Sequence, residues 1–200
     1  MPQAKSRQKL PDKAEQILAG AMQQFLEYGY TGSSMDRIAA AAGVSKQTLY
    51  SYFHNKEALF TTLVEQIAKE RFRLVFGSEP LQGEPSLVLR QLATKLIGQI
   101  VEDEQYHAFV RLVVGESGRF PQLGMAMIRN VTQPGIQTLS QYLASHPELE
   151  LSDPQETAAI FLGALIYFIL TQEILHGNKV VPRSRSRLID SLIELILNHQ

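Results

Sequence analysis

The sequence predicts an all-α protein, and three observations carry that prediction. No run alternates apolar and polar residues over a convincing length, while helix formers dominate throughout. Apolar residues recur at roughly every third or fourth position along extended segments. Short stretches rich in Gly, Pro, Ser and Asn separate those segments, as in YTGSS (30–34), GSEPLQGEPS (77–86) and HGNKVVPRS (176–184). About nine helices result. Three small ones form an N-terminal unit, a long fourth one connects, and five make a C-terminal body.

Helix 1 is expected over 12–28, capped by Asp12. Its inward face is Ile17, Leu18, Ala21, Met22, Phe25 and Leu26, and Gly29 ends it. Ser33 or Ser34 caps helix 2, which turns Ile38, Ala39 and Ala42 inward. Its run of four alanines, 39–42, gives the low profile that lets helix 3 cross closely. Gly43 stops helix 2 because it takes a left-handed conformation that a β-carbon would penalise. Val44 plugs the turn and Ser45 caps helix 3, 46–52, with Leu49 and Phe53 pointing inward. Asn55 caps the fourth helix, which runs to about Phe76. The remaining helices are expected at 86–102, 105–117, 121–145, 154–176 and 184–198, with Pro134-Gly135 kinking the long one. The boundary between the two parts is placed at 60/61, with a basic arm over 1–11.

Short helix, glycine turn, short helix is the pattern of a helix-turn-helix, whose second helix enters the major groove of DNA. The residues of helix 3 suit that task. Gln47 can pair bidentately with adenine, and Lys46 can donate to guanine or to a phosphate. Thr48 offers a hydroxyl and a methyl. Tyr50 and Tyr52 can donate to the DNA backbone, or they can be rim aromatics packed on helix 1. Lys56 is expected to reach a phosphate, and Ser33 and Ser34 to share in phosphate binding.

Charge and composition set the limits around this reading. Residues 1–60 carry seven cationic and five anionic side chains, and four of those cations lie in the first 13 positions, although the whole chain is near neutral at −1. A basic arm on a neutral body fits a DNA-binding domain, and it also fits a solvated tail. With 44% hydrophobic residues in 200, a core can be buried. The absence of cysteine excludes disulfides and thiolate metal sites. The histidines, at 54, 107, 146, 176 and 199, are scattered without a metal-ligating spacing. No catalytic set, phosphate loop or nucleophile elbow occurs, so no enzyme and no cofactor is expected. The N-terminus lacks a secretory pattern. The longest apolar run, 158–170, has 13 residues. That is short of a bilayer span and reads as buried helix. A cytoplasmic protein without a membrane partner is expected.

The stretch FLEYGYTGSSMDRIAAAAGVSKQTLYSYFHNKEALF (25–60) resembles the DNA-binding domain of the TetR family of bacterial transcriptional regulators. Phe25, Gly29, Tyr30, Ser33, Ser34, Ile38, Ala39, Ala42 to Ser45, Leu49, Tyr50, Phe53, Lys56, Glu57 and Leu59 carry the resemblance. Gln47 departs from it, standing where the family often has a small residue or proline. The resemblance implies DNA contacts by Ser34, Lys46, Gln47, Thr48, Tyr50, Tyr52 and Lys56. It further implies a palindromic operator of double-stranded DNA, a homodimer and a small-molecule effector in the C-terminal domain.

The C-terminal body offers candidates for the last two roles. The segment 156–177 is apolar nearly all round, so it must pack on both sides. Phe161, Leu165 and Phe168, with Leu188, Leu192, Leu195 and Ile196 of the last helix, are the expected dimer interface; a monomeric core is the other reading of the same pattern. For an effector site the polar candidates are His107, Arg111 and Glu116. Met125, Met127, Phe161, Tyr167 and Phe168 are the apolar ones, and each also fits plain core. Three functions therefore stay open: a repressor released by a ligand, a DNA-binding regulator without a small-molecule ligand (constitutive, protein-regulated or activating), and a helical adaptor that binds only protein.

Overall fold

The computed structural model describes residues 12–101 and 103–197. The basic arm and His199 fall outside them. Among the described residues every regular element is helical. The chain divides after Leu63 into two compact units.

The first unit holds α1 (Lys13–Gly32), α2 (Met35–Ala41), α3 (Lys46–Tyr52) and the first turns of α4 (Lys56–Phe76). Its centre is aromatic. Phe25 and Phe60 lie 4.5 Å apart by ring centroids, and Tyr30 stacks on Phe60 at 5.0 Å. Ile17, Ile38, Leu49 and Leu59 close around them with no exposed surface. Burial of this kind stabilises by about 1.5–3 kcal/mol for each large side chain.

Local chemistry sets the helix ends. Ser34 Oγ accepts from the Arg37 amide at 3.3 Å, Ser45 Oγ from Thr48 at 3.0 Å, and Asn55 Oδ1 from Ala58 at 2.8 Å. Asp12 precedes α1, but its side chain makes no capping bond. Gly29 breaks the helical path of α1 at φ +70°, and one further turn carries the chain to Gly32. Gly43 adopts φ +63°. There its N–H bonds to Ala40 O (3.1 Å) and that of Val44 to Ala39 O (3.0 Å). These two bonds form the Schellman closure that glycine makes accessible at a helix end. The alanines admit α1 rather than chiefly α3: a β-carbon built on Gly20 would stand 2.7 Å from the Ala42 backbone nitrogen. Ala40 and Ala41 are exposed.

The second unit takes the rest of α4 with α5 (Pro85–Val101), α6 (Glu104–Glu116), α7 (Pro121–Met127), α8 (Gln133–Ala144), α9 (Pro154–Ile169) and α10 (Arg185–Leu197). A π-helical turn, Ile128–Thr132, joins α7 to α8, so the two form one rod and the described chain has nine rods. Pro134 was expected to kink this rod. The helix instead widens just ahead of the ring, where Gln133 N–H reaches back to Ile128 O. A widened turn accommodates the ring and the missing N–H of proline.

α9 packs on α5 and α8, and α10 packs on α5. A second π turn, Leu170–Ile174, extends α9, so Pro154–Ile174 is long and apolar enough to cross a membrane by length and composition. It exceeds the 13-residue apolar run because the helix continues through polar neighbours on both sides. Here it serves as a core helix, with Phe161, Leu165 and Phe168 fully buried. Those three, with Leu192 and Ile196, were expected at a dimer interface, and the structure buries all five inside their own unit. Leu188 is half-buried, and Leu195 alone of that set is fully outward, 65% exposed.

Candidate functional site

In the first unit, Leu49 anchors α3 by disappearing into the aromatic core. Helical periodicity then turns Lys46, Gln47, Tyr50 and Ser51 outward on one face. Tyr50 and Tyr52 remain 42% and 48% exposed, so the rim reading accounts for only part of each ring. Thr48 is half-buried, and its hydroxyl shares a 2.8 Å hydrogen bond with Ser45. Lys46 Nζ lies 2.8 Å from Asp36 on α2, both side chains being mostly in solvent. The hydrogen bond and charge of Asp36 raise the lysine pKa and keep it cationic. A solvent-exposed pair of this kind is weakly held and exchanges readily for a phosphate.

Two expected contacts are placed differently. Ser33 is buried, and its hydroxyl donates to Tyr30 O at 2.8 Å. Lys56 donates to Tyr30 O (2.7 Å) and Ser33 O (2.9 Å), with its ammonium 4.5 Å from the centre of the Tyr30 ring. It ties the turn before α2 to α4, which fixes the scaffold behind α3. Ser34 is exposed, and its hydroxyl oxygen caps α2. Arg37 is not among the contacts expected from the sequence. It lies exposed in the first turn of α2, with its guanidinium 4.8 Å from the Tyr28 ring centre. It is the single cation of α2, and that was the available signal.

The second unit contains a cavity of about 420 Å³. That lies in the range of small-molecule sites. Phe72 and Val75 of α4, Ile100 of α5, Val110 and Val113 of α6, and Ile166 and Ile169 of α9 contribute to its walls, together with Met127. Its polar groups are few: Arg71, Gln99, Tyr106, Ser117 and Thr132. Arg71 donates to Gln99 O at 2.8 Å and to Asp103 Oδ2, and its guanidinium carbon sits 4.2 Å from the centre of the Tyr106 ring. Asp103 Oδ1 also accepts from the Tyr106 amide at 2.9 Å, capping α6. Burial pushes the Asp103 carboxyl up, but the Tyr106 amide and the Arg71 guanidinium outweigh it and hold the group below the usual carboxylate range. Burial raises the Tyr106 phenol, with Arg71 opposing, so the hydroxyl stays protonated at neutral pH.

Seven of the eight expected effector residues do not line this cavity. His107 is buried with its Nε2 unpartnered among the described residues. Arg111 donates to Ile174 O at 2.8 Å. Glu116 is half-buried near the end of α6, where its carbonyl accepts from Phe120. Met125 and Tyr167 are 55% and 58% exposed, and Phe161 and Phe168 are core. Met127 does line it. The outward side of α9 carries Ile160 (67% exposed), Gly163 and Tyr167, an apolar stripe at helical spacing. Among the described residues no group of acidic, histidine or cysteine side chains could hold a metal.

Comparison with known proteins agrees with this architecture. Residues 17–63 match the family described as bacterial regulatory proteins, tetR family. Residues 87–199 match the C-terminal domain of AefR-like transcriptional repressors. The helix-turn-helix-type transcriptional regulator YhgD of Bacillus subtilis (strain 168) is 27% identical over 92% of this chain and 94% of its own. A solved TetR-family regulator from Mesorhizobium loti MAFF303099 superimposes with a TM-score of 0.76 at 28% identity, covering 93% of this chain and 95% of that one. The flavonoid-responsive regulator FrrA does so with a TM-score of 0.75 at 30% identity and the same coverage.

Proposed function

Because the chain belongs to the TetR family of bacterial transcriptional regulators, we propose that it is a repressor that grips a palindromic operator as a homodimer and lets go when a small molecule fills the second unit. The observation that carries this is the outward face of α3. Lys46, Gln47 and Tyr50 project together from a helix whose Leu49 is locked in the core. Gln47 reads a base edge, while Lys46, Thr48, Tyr50, Tyr52, Ser34 and Arg37 meet phosphates. Lys56 and Ser33 act from behind, by holding the turn. Such a protein acts on DNA in the cytoplasm.

One recognition helix reads few base pairs, so a second copy is required for an operator of useful length. The apolar stripe Ile160, Gly163 and Tyr167 of α9, with Leu195 of α10, is the surface proposed for it. Gly163 has nothing within 4 Å of where a β-carbon would stand, leaving room for close helix approach. The effector reading rests on the apolar cavity and on FrrA, which responds to flavonoids. α4 carries Leu59 and Phe60 in the core of the first unit and Phe72 and Val75 on the cavity wall. A ligand that prefers one placement of α4 therefore shifts the population that holds DNA, by no more than its differential affinity.

Fluorescence anisotropy with duplex DNA at increasing salt tests the reading. A regulator of this kind loses affinity steeply as phosphate counterions compete. An adaptor that binds only protein shows no DNA affinity to lose. Repeating the titration with a flavonoid present tests release by that ligand class: a repressor that responds to it dissociates, and unchanged binding removes flavonoids as effectors.

A further inference from the structure

We propose that the cavity of the second unit selects an uncharged, largely apolar ligand whose single hydrogen-bond acceptor meets Arg71 and Tyr106, and that Asp103 makes it reject carboxylates. This inference rests on the reading of the cavity as the effector site.

The walls supply apolar burial but little orientation. Ser117 already donates its hydroxyl to Val114 O at 2.7 Å. Orientation comes from the end where Arg71 lies. Its side chain is only 17% exposed, and it lines the cavity while bonded to Asp103 and Gln99. A guanidinium has several N–H donors in a fixed fork, so donors remain beyond those two bonds. The Tyr106 hydroxyl, at a cavity-lining residue, bonds to no described residue and can donate beside them. This end therefore offers donors without net charge.

The charge balance decides the ligand class. Asp103, which lies outside the cavity lining with its side chain 35% exposed, already pairs with Arg71, so a carboxylate entering the apolar cavity would meet a cation whose charge is balanced. Burying an anion without its own partner is strongly unfavourable. Displacing Asp103 instead would break both the ion pair and the cap on α6, since one carboxylate makes both bonds. A carbonyl, ether or hydroxyl oxygen meets the spare donors with neither penalty.

The experiment uses the full-length protein and the neutral fluorescent probe N-phenyl-naphthylamine, displaced in turn by methyl decanoate and by decanoate at neutral pH. The ester is expected to displace the probe at roughly tenfold lower concentration or better, the factor that about 1.4 kcal/mol gives. Greater hydrophobicity alone also favours the ester, so the variant Asp103→Asn carries the decision. Asparagine caps helices as aspartate does, and this substitution leaves the Arg71 charge unbalanced. Decanoate should then gain and the preference should collapse. A decanoate that matches or beats the ester in the wild-type protein overturns the inference even if the variant does not fold, while the effector cavity stands. A preference unchanged in Asp103→Asn overturns it as well. If neither probe nor competitor binds the wild-type protein, the effector-site reading falls and the inference with it.

Discussion

Replacing Gly20 by alanine should destabilise the first unit, although alanine is the better helix former by about 1 kcal/mol. The reason is the crossing of α1 and α2. The added β-carbon would stand 2.7 Å from Ala42 N and 2.9 Å from Ala42 Cα and Cβ. Two of those atoms are backbone, so no side-chain rotation relieves the conflict and α2 must move. Overpacking costs about 1–3 kcal/mol, and the upper half of that range applies where backbone opposes backbone. After the gain in helix propensity, a net loss of about 1–2 kcal/mol remains. Gly98 of α5 is the control, having nothing within 4 Å of its β position. There the same substitution should stabilise by up to about 1 kcal/mol. Amide hydrogen exchange in α1 and α2 reads the first unit separately from the second. Protection should drop by a factor of about 5–30 in Gly20→Ala, and DNA affinity should fall with it because α2 supports α3. If Gly20→Ala raises protection in α1 and α2, as Gly98→Ala should in α5, the close crossing is not what orders these helices.

Further outcomes follow from the two units. Gln47→Ala should relax base preference at one or two positions by about 1–3 kcal/mol while leaving non-specific binding intact; binding to a panel of operator variants reads this, and an unchanged preference removes Gln47 as a base reader. Leu195→Glu changes a residue that is 65% exposed, so thermal stability of the isolated subunit should hardly change. Each copy loses about 2 kcal/mol of burial, so sedimentation should show dimerisation weakened by at least roughly 100-fold; an unaltered dimer places the interface elsewhere. Acid should weaken the second unit through Asp103. Its pKa is lowered on folding, so its contribution is complete above the unfolded value of about 3.9 and disappears as pH falls through the folded one. Thermal unfolding followed from about pH 6 to about pH 2 should therefore show Asp103→Asn less acid-sensitive than the parent; identical profiles would deny the carboxylate this role.

The helix-turn-helix was legible because its instructions are local. Ser34, Ser45 and Asn55 cap helices within three residues of themselves, and Gly43 and Val44 close α2 with bonds that any chain of that sequence can make. The bonds of Lys56 were not legible because its partners, the carbonyls of Tyr30 and Ser33, lie 26 and 23 residues away. The cavity was illegible for two reasons. Its polar end joins Arg71 to Asp103 across 32 residues, with no pattern linking them. Its walls follow helical phase: Tyr106, Val110 and Val113 face inward on α6, while the more conspicuous His107 and Arg111 do not line it. α9 presents apolar residues on both sides, so the pattern required two packing partners without stating which side met which. Periodicity favoured Phe161, Leu165 and Phe168 for the partner, and the fold uses them for its own core.

Selection of bound duplexes from a random pool, with the full-length protein at moderate salt, tests the paired reading of DNA by α3 most directly. The account predicts an enriched inverted repeat, with two equivalent half-sites at one fixed spacing. Recovery of a lone half-site, or of no sequence above the starting pool, would contradict it.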